Sequence, residues 1–279
     1  MVLNGLRIFT WLFLIGSFFP LSICESHGAS FTYSNANFIT INDSDSPPTT
    51  ASLYPSTNFV NGLAGQIITK VTVTLQGFSH TFPSDVSVLL VGPQGQGAIL
   101  MANAGGQNPY SVTNLTLTFN DDAANSLPLF TNMVSGTFKP TNGYLDPYFG
   151  RSSLPFNFPP PAPLGNSNSP SLLSVFKNTD PTGTWNLFVV DDVAGGSGAI
   201  SNGWSLNLSI AVPLQIARIQ TNVVVSWPAS ATNFQLQFTS SISASGIWTN
   251  ILTPPILNSG HYYVTNPILA GARFYRLTN

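Results

Sequence analysis

The sequence predicts an all-β protein, with a large jelly-roll-like β-sandwich over residues 30–212 and a small second sandwich over 213–279. Three observations predict it. Apolar side chains recur with period two, which puts them on one face of a strand. The chain holds 23 Gly and 22 Pro, placed between the apolar runs as turn residues. Helical periodicity is almost absent after the first two dozen residues.

The N-terminus reads as an export signal over residues 1–24. Arg7 supplies the positive charge, and Ile8 to Ile23 form an apolar stretch that includes Trp11, Phe13, Phe18 and Phe19. Small residues follow at Ser22, Cys24 and Ser26, so cleavage is expected near Cys24 to Ser26. The stretch is short for a membrane span, which favours a signal peptide over a retained anchor. Leu21-Ser22-Ile23-Cys24 loosely resembles a bacterial lipobox, but Ile23 stands where a small residue is wanted. A lipid anchor on Cys24 is therefore the lesser reading. No later run is long enough to span a membrane. Cys24 is the only cysteine, so the mature chain is expected to fold without an internal disulfide.

Composition narrows the function classes. Apolar residues make up 43% of the chain, enough for a substantial core. Charged residues are only 6%, against about 25% in an average soluble protein. Ser, Thr, Asn and Gln must supply the polar surface. The net charge of -2 offers no basic face for nucleic acid, and eight Lys and Arg are too few for a polybasic membrane patch.

The strands follow in order. Val71, Val73 and Leu75 alternate with Thr72 and Thr74. Leu115, Leu117 and Phe119 alternate with Thr116 and Thr118. Trp204, Leu206, Leu208 and Ile210 alternate with Ser205, Asn207 and Ser209. Each predicts one buried and one polar sheet face. Val88 to Val91 and Leu187 to Val190 are unbroken apolar runs, which predicts strands covered on both faces. Turns are predicted at Gly92-Pro93, Gly105-Gly106, Asn142-Gly143, Asp180-Pro181, Gly195-Gly196 and Asn202-Gly203. Pro159-Pro160-Pro161-Ala162-Pro163 cannot enter a central ladder and is expected to wrap the outside of the sandwich. Pro213 ends the first unit. Five further strand segments then run from Val223 to Leu277, with Trp227 and Trp248 as expected core fillers.

Three blocks carry a family resemblance. The first is Gly77-Phe78-Ser79-His80-Thr81-Phe82-Pro83-Ser84-Asp85-Val86 with Leu89-Leu90-Val91-Gly92-Pro93-Gln94-Gly95. The second is Asp180-Pro181-Thr182-Gly183-Thr184-Trp185-Asn186-Leu187 with Val190-Asp191-Asp192. The third is Gly198-Ala199-Ile200-Ser201-Asn202-Gly203-Trp204-Ser205-Leu206. In order and spacing they resemble the P domain, or Homo B domain, of subtilisin-like proprotein convertases, over roughly residues 30–212. The resemblance implies a jelly-roll-like sandwich that stabilises a subtilisin-like catalytic domain. That catalytic domain and its Asp, His and Ser motifs are missing here, so an association with serine endopeptidase activity and proteolysis would come through the domain's usual company. The part from Leu214 to Asn279 is similar to short C-terminal modules of exported bacterial proteins, and a fibronectin type III-like fold is expected for it.

Candidate chemistry is sparse. Histidines are His27, His80 and His261. His80, in a resemblance block, is expected to be a hydrogen-bonded structural residue with Asp85 as its partner. Gly195-Gly196-Ser197-Gly198-Ala199 lacks the Gly two residues after the Ser that a nucleophile elbow needs, and reads as a turn. Adjacent pairs such as Asp121-Asp122 and Asp191-Asp192 point to opposite faces of an extended chain and form no acid–base dyad. Calcium is the better use for carboxylates on loops: Asp85, Asp121, Asp122, Asp191 and Asp192 are the candidate ligands. The competing reading is turn and cap chemistry. Asn42-Asp43-Ser44-Asp45 hints at a calcium loop, but Tyr54 stands where an EF-hand needs Glu, so an exposed turn is expected. Nothing has zinc-ligand spacing. A sugar platform would draw on Tyr110, Tyr144, Tyr148, Tyr262 and Tyr263. Asn114-Leu115-Thr116 and Asn207-Leu208-Ser209 match the glycosylation sequon, a pattern that arises readily by chance in so Asn-rich a chain. The functional expectation is a secreted or cell-surface, non-catalytic module that meets a protein partner or an extracellular polymer. Carbohydrate binding is the alternative.

Overall fold

The computed structural model describes residues 29–106, 110–143, 158–163, 169–242 and 246–278. The signal segment and Cys24 lie outside the described residues, as do Tyr144 and Tyr148. The protein is all-β, with its sheets packed as sandwiches. Among the described residues no helix is long and apolar enough to cross a membrane.

One compact unit comprises Ser30–Asn61 and Ile68–Ser209. Its strands are β1 (Ala29–Asn35), β2 (Ile39–Ile41), β3 (Thr49–Thr50), β4 (Ser56–Val60), β5 (Ile67–His80), β6 (Val86–Val91), β7 (Gly97–Ala102), β8 (Val112–Phe119), β9 (Gly136–Phe138), β10 (Thr141–Asn142), β11 (Gly183–Asp191), β12 (Gly198–Ile200) and β13 (Trp204–Ala211). A seven-stranded sheet runs β1-β13-β5-β12-β2, with β8 on β5 and β9 on β8. A six-stranded sheet runs β10-β7-β6-β11-β3, with β4 also on β11.

The period-two segments behave as their patterns require. Val71, Val73 and Leu75 are buried, as are Leu117, Phe119, Trp204, Leu206 and Leu208. The intervening Thr, Ser and Asn face outward and knit the seven-stranded sheet with neutral side-chain bonds. Thr74 Oγ1 meets Thr118 Oγ1 at 2.9 Å, Asn207 Nδ2 donates to Thr32 Oγ1 at 2.8 Å, and the Ser30 and Ser209 hydroxyls are 3.1 Å apart.

The unbroken runs are explained by a second cover. Val88 to Val91 are buried throughout β6, and Leu187 to Val190 throughout β11. Leu89, Val91, Phe188 and Val190 form a cluster with Ile99, Ala102, Phe158 and Ala162, against which Tyr54 packs. Phe158 and Ala162 belong to the proline-rich segment, so that segment roofs the six-stranded sheet. The Tyr54 hydroxyl donates to Pro159 O at 2.8 Å, and its ring meets Phe188 edge-on at 5.0 Å. Burial raises the Tyr54 phenol well above its usual range.

The three resemblance blocks meet in space. β11 pairs with β6, placing Leu187 opposite Leu90 and Asp191 opposite Val86. β12 pairs with the end of β5, placing Gly198 opposite His80 and Ile200 opposite Phe78. The Ser201–Gly203 turn inserts against Gly77: Ser201 N donates to Gly77 O, and Gln76 N donates to Gly203 O. Gly77 has φ +76, and a Cβ there would overlap the Ser201 hydroxyl. Only glycine meets both demands. The Asp180-Pro181 turn is set by Thr182 N donating to Asp180 Oδ1 at 2.8 Å. It leads into Trp185, whose indole N–H donates to Pro181 O at 3.0 Å.

The other described unit comprises Gly62–Ile67 and the residues from Ile210 onward. Its strands are β14 (Gln215–Ile219), β15 (Asn222–Pro228), β16 (Gln235–Thr239), β17 (Thr249–Asn250), β18 (Ile256–Asn258), β19 (His261–Pro267) and β20 (Phe274–Thr278). They form a four-stranded sheet β14-β15-β19-β18 and a three-stranded sheet β17-β16-β20. Val212, Leu214, Val225, Trp227, Leu236, Tyr275 and Leu277 build its core. Val212 and Leu214 belong to that core, so the unit changes at Ser209–Ile210, slightly ahead of the position Pro213 suggests.

Trp248 corrects one expectation. Trp227 fills the core, but Trp248 lies in the segment before the edge strand β17 and stays half-exposed. The Arg276 guanidinium stacks over its ring at 4.2 Å. Arg276 Nε also donates to Gln237 Oε1 at 2.8 Å, locking the pair on the outer sheet face.

Candidate functional site

His80, Asp85, Asp191 and Asp192 lie together at one end of the larger unit, where β5 and β11 finish and β12 begins. The His80 side chain is fully buried and Asp191 nearly so. His80 Nε2 lies 3.2 Å from Asp191 Oδ2, in contact but off the line of a well-formed hydrogen bond. On the other side of the ring, Nδ1 is 3.1 Å from Phe82 N and 2.9 Å from Phe82 O. The tautomer protonated at Nε2 accepts the Phe82 N–H and turns its own proton toward the carboxylate. Asp191 Oδ1 accepts the Val193 N–H at 3.1 Å.

This corrects the expected pairing of His80 with Asp85. The carboxylate opposite the imidazole comes from a strand more than a hundred residues later. Asp85 lies in a 3-10 turn (Pro83–Asp85), where its Oδ1 accepts from the Ser84 hydroxyl at 3.2 Å. Its carbonyl accepts the Asp192 N–H at 2.8 Å, and the Ser87 hydroxyl donates to Asp192 Oδ2 at 3.0 Å. Asp85, Asp191 and Asp192 therefore share one neighbourhood.

Asp121 and Asp122 do not join that neighbourhood's bonds. Asp121 accepts Leu173 N at 2.8 Å and Ser174 N at 2.7 Å, fastening the start of the short 3-10 helix Leu173–Phe176. Asp122 pairs with Lys70 at 2.7 Å on the surface. The Lys70 hydrogen bond and charge hold its carboxyl below the usual range. Among the described residues no three His, Cys, Asp or Glu side chains converge to hold a metal ion. The five sequence candidates are thus divided, and each has a protein contact of its own.

The Lys70–Asp122 pair yields a small expected effect. Lys70→Ala should cost about 0.2–1 kcal/mol, the range for exposed ion pairs. Because the folded carboxyl is depressed, this contribution is present above the unfolded-state value and disappears as pH falls through the folded one. Urea melts at neutral and acid pH check it: the variant and parent should converge in acid.

Above the buried pair lies an open concavity of about 530 Å³, lined by Asp43, Thr81, Phe82, Ser111, Gly195, Gly196 and Ser197. Both Asp43 carboxylate oxygens accept the Gly195 N–H at 3.1 Å. Thr81 and Ser197 clasp each other: Thr81 N donates to Ser197 O at 3.2 Å, and Ser197 N donates to Thr81 Oγ1 at 3.0 Å. The Gly195–Ser197 turn is thus pinned from two sides. Sequence reasoning read it, and the Asp43 loop, as separate turns. Nothing local signals that residues 152 positions apart share a rim.

Among the described residues neither His80 nor His261 is hydrogen-bonded to a hydroxyl, as an activated nucleophile requires. Both nitrogens of His80 face Phe82 and Asp191, and its side chain is shut away from solvent. His261 Nδ1 is 3.4 Å from Ser259 O.

Among the described residues, the sequence-candidate tyrosines each have a ring neighbour. Tyr262 packs against the C-terminal core and lies 5.8 Å from Trp227. Tyr263 faces His261 at 6.3 Å, and Tyr110 is half-buried beside Gly106.

No protein-family model matches the chain, and neither a curated protein nor a solved structure matches it. The likeness to P domains rests on the three sequence blocks.

Proposed function

We propose that this chain is an exported, non-catalytic pair of β-sandwich units that presents loops and sheet faces to a protein partner or an extracellular polymer. The observation that carries the reading is the use made of the resemblance blocks. Their polar groups are taken up within the sandwich: Trp185 on Pro181, His80 between Phe82 and Asp191, and Asp180 on its own turn. Such residues stabilise a scaffold; they do not turn over a substrate. In its most specific form the P-domain-like unit stabilises a separately encoded subtilisin-like serine protease in trans, and the endopeptidase activity belongs to that partner.

The test is a pull-down with the tagged chain from native culture supernatant and envelope, read by mass spectrometry, beside a casein assay of the chain alone. Capture of a subtilisin-like protease, with no cleavage by the chain itself, is expected. Casein cleavage abolished by a serine-directed inhibitor would overturn the non-catalytic reading.

Within this reading the loop carboxylates are fasteners, not calcium ligands. The melting temperature is expected to coincide in calcium and in chelator. A rise with calcium, following mass action, would return Asp85, Asp191 and Asp192 to the role of ligands.

Carbohydrate binding is the second reading. The charge-poor composition and the hydroxyl-lined concavity favour it.

A further inference from the structure

We propose that the concavity between Asp43, Phe82, Ser111 and the Gly195–Ser197 turn is a binding site for a neutral saccharide. The inference rests on the carbohydrate reading above and gives it a place and a ligand class.

Size is the first argument. A volume of about 530 Å³ falls within the range of about 300–1,000 Å³ typical of small-ligand sites.

The rim is held in advance of any ligand. Asp43 is tied to Gly195 and Thr81 to Ser197, so little ordering is left for the binding step. The floor is equally fixed. Gly196 is buried, and a Cβ there would press on His80 Cε1, Phe82 Cδ2 and Thr81 Oγ1 at 3.1–3.2 Å. Beneath it sits the enclosed His80–Asp191 pair. A larger residue at 196 would have to displace these neighbours.

The chemistry selects the ligand. The lining carries one carboxylate, three hydroxyls and one half-buried aromatic ring. A carboxylate offers about four acceptor positions, and the Gly195 N–H leaves room there for ligand hydroxyls. Ser and Thr hydroxyls donate as well as accept, which suits a polyol. Phe82 supplies an apolar surface for the C–H face of a sugar ring. No Lys or Arg lines the concavity, so an anionic ligand would meet Asp43 with no compensating charge. Calcium would need six to eight oxygens and finds one carboxylate. A neutral, hydroxyl-rich molecule with one apolar face fits what remains.

The experiment uses the full chain and a panel of neutral oligosaccharides built from glucose, mannose, galactose, xylose and N-acetylglucosamine. Binding is read by saturation-transfer NMR and then by titration. Two variants locate it. Ser111→Trp fills the concavity from an exposed position on the rim. Asp43→Asn keeps an acceptor for Gly195 N–H but loses the charge. Each should melt like the parent and weaken binding by about tenfold or more. If Ser111→Trp fails to fold, Asp43→Asn decides alone. A panel sugar that binds the parent and both folded variants equally would overturn this site while leaving the carbohydrate reading intact. No binding by any panel member would overturn both.

Discussion

Asp191→Ala is expected to lower the stability of the larger unit by several kcal/mol, because it leaves two groups without their carboxylate partner, each at a cost of about 1–3 kcal/mol. His80 would keep its place in a dry interior with Nε2 facing an empty space. The Val193 N–H would lose its acceptor at the same time. The double replacement His80→Leu with Asp191→Leu removes both polar groups together. It should cost clearly less than the sum of the two single changes, because apolar groups of similar size can replace a buried pair at little net loss. Urea denaturation of the four proteins gives the cycle. A loss under about 1 kcal/mol for Asp191→Ala would show that water reaches the imidazole, contrary to the burial described above.

Trp185→Ala should be comparably severe, at about 3–5 kcal/mol. The indole is fully buried at the point where the second resemblance block enters β11. It packs on Phe176 with ring centroids 4.8 Å apart and donates to Pro181 O. Removing it opens a cavity lined by side chains that the surrounding sheet holds in place. Trp185→Phe separates the two contributions. It retains most of the apolar contact and loses the hydrogen bond, and is expected to cost more than the bond's net value of about 1 kcal/mol. Thermal melts of both variants check the ordering. Equal losses would mean that the Pro181 bond, and not packing, dominates.

Much of the architecture is written in local pattern. Alternation in Val71–Leu75 and Trp204–Ile210 specified strands with one wet face, because a strand's side chains must alternate. The unbroken runs at Val88–Val91 and Leu187–Val190 specified strands covered twice, and the proline-rich segment is a cover on one side. Trp248 shows where pattern stops. Its apolar size suggests a core, but its place before an edge strand leaves it outside, sheltered by Arg276. The candidate site was less legible for a related reason. His80 and Asp191 meet across two sheets, His80 from the strand pair β5–β12 and Asp191 from the pair β11–β6, and no local periodicity encodes how distant strands register or how their sheets face. Asp43 and Gly195 likewise share a rim only after the sheets have formed. The carboxylates were visible as a set of candidates, but composition could not divide Asp121 and Asp122 from Asp85, Asp191 and Asp192.

The outer face of the seven-stranded sheet carries a consequence for the medium this protein can inhabit. Most of its side-chain bonds join threonine, serine and asparagine, none of which carries a charge near neutral pH; the Lys70–Asp122 pair is a charged exception. Dissolved ions screen charges but leave neutral dipoles in contact almost untouched. Dilution from brine to fresh water gives these neutral bonds little to respond to, and the Lys70–Asp122 pair is left to answer to salt and acid. For these bonds the scarcity of charge noted at the outset becomes a form of insulation.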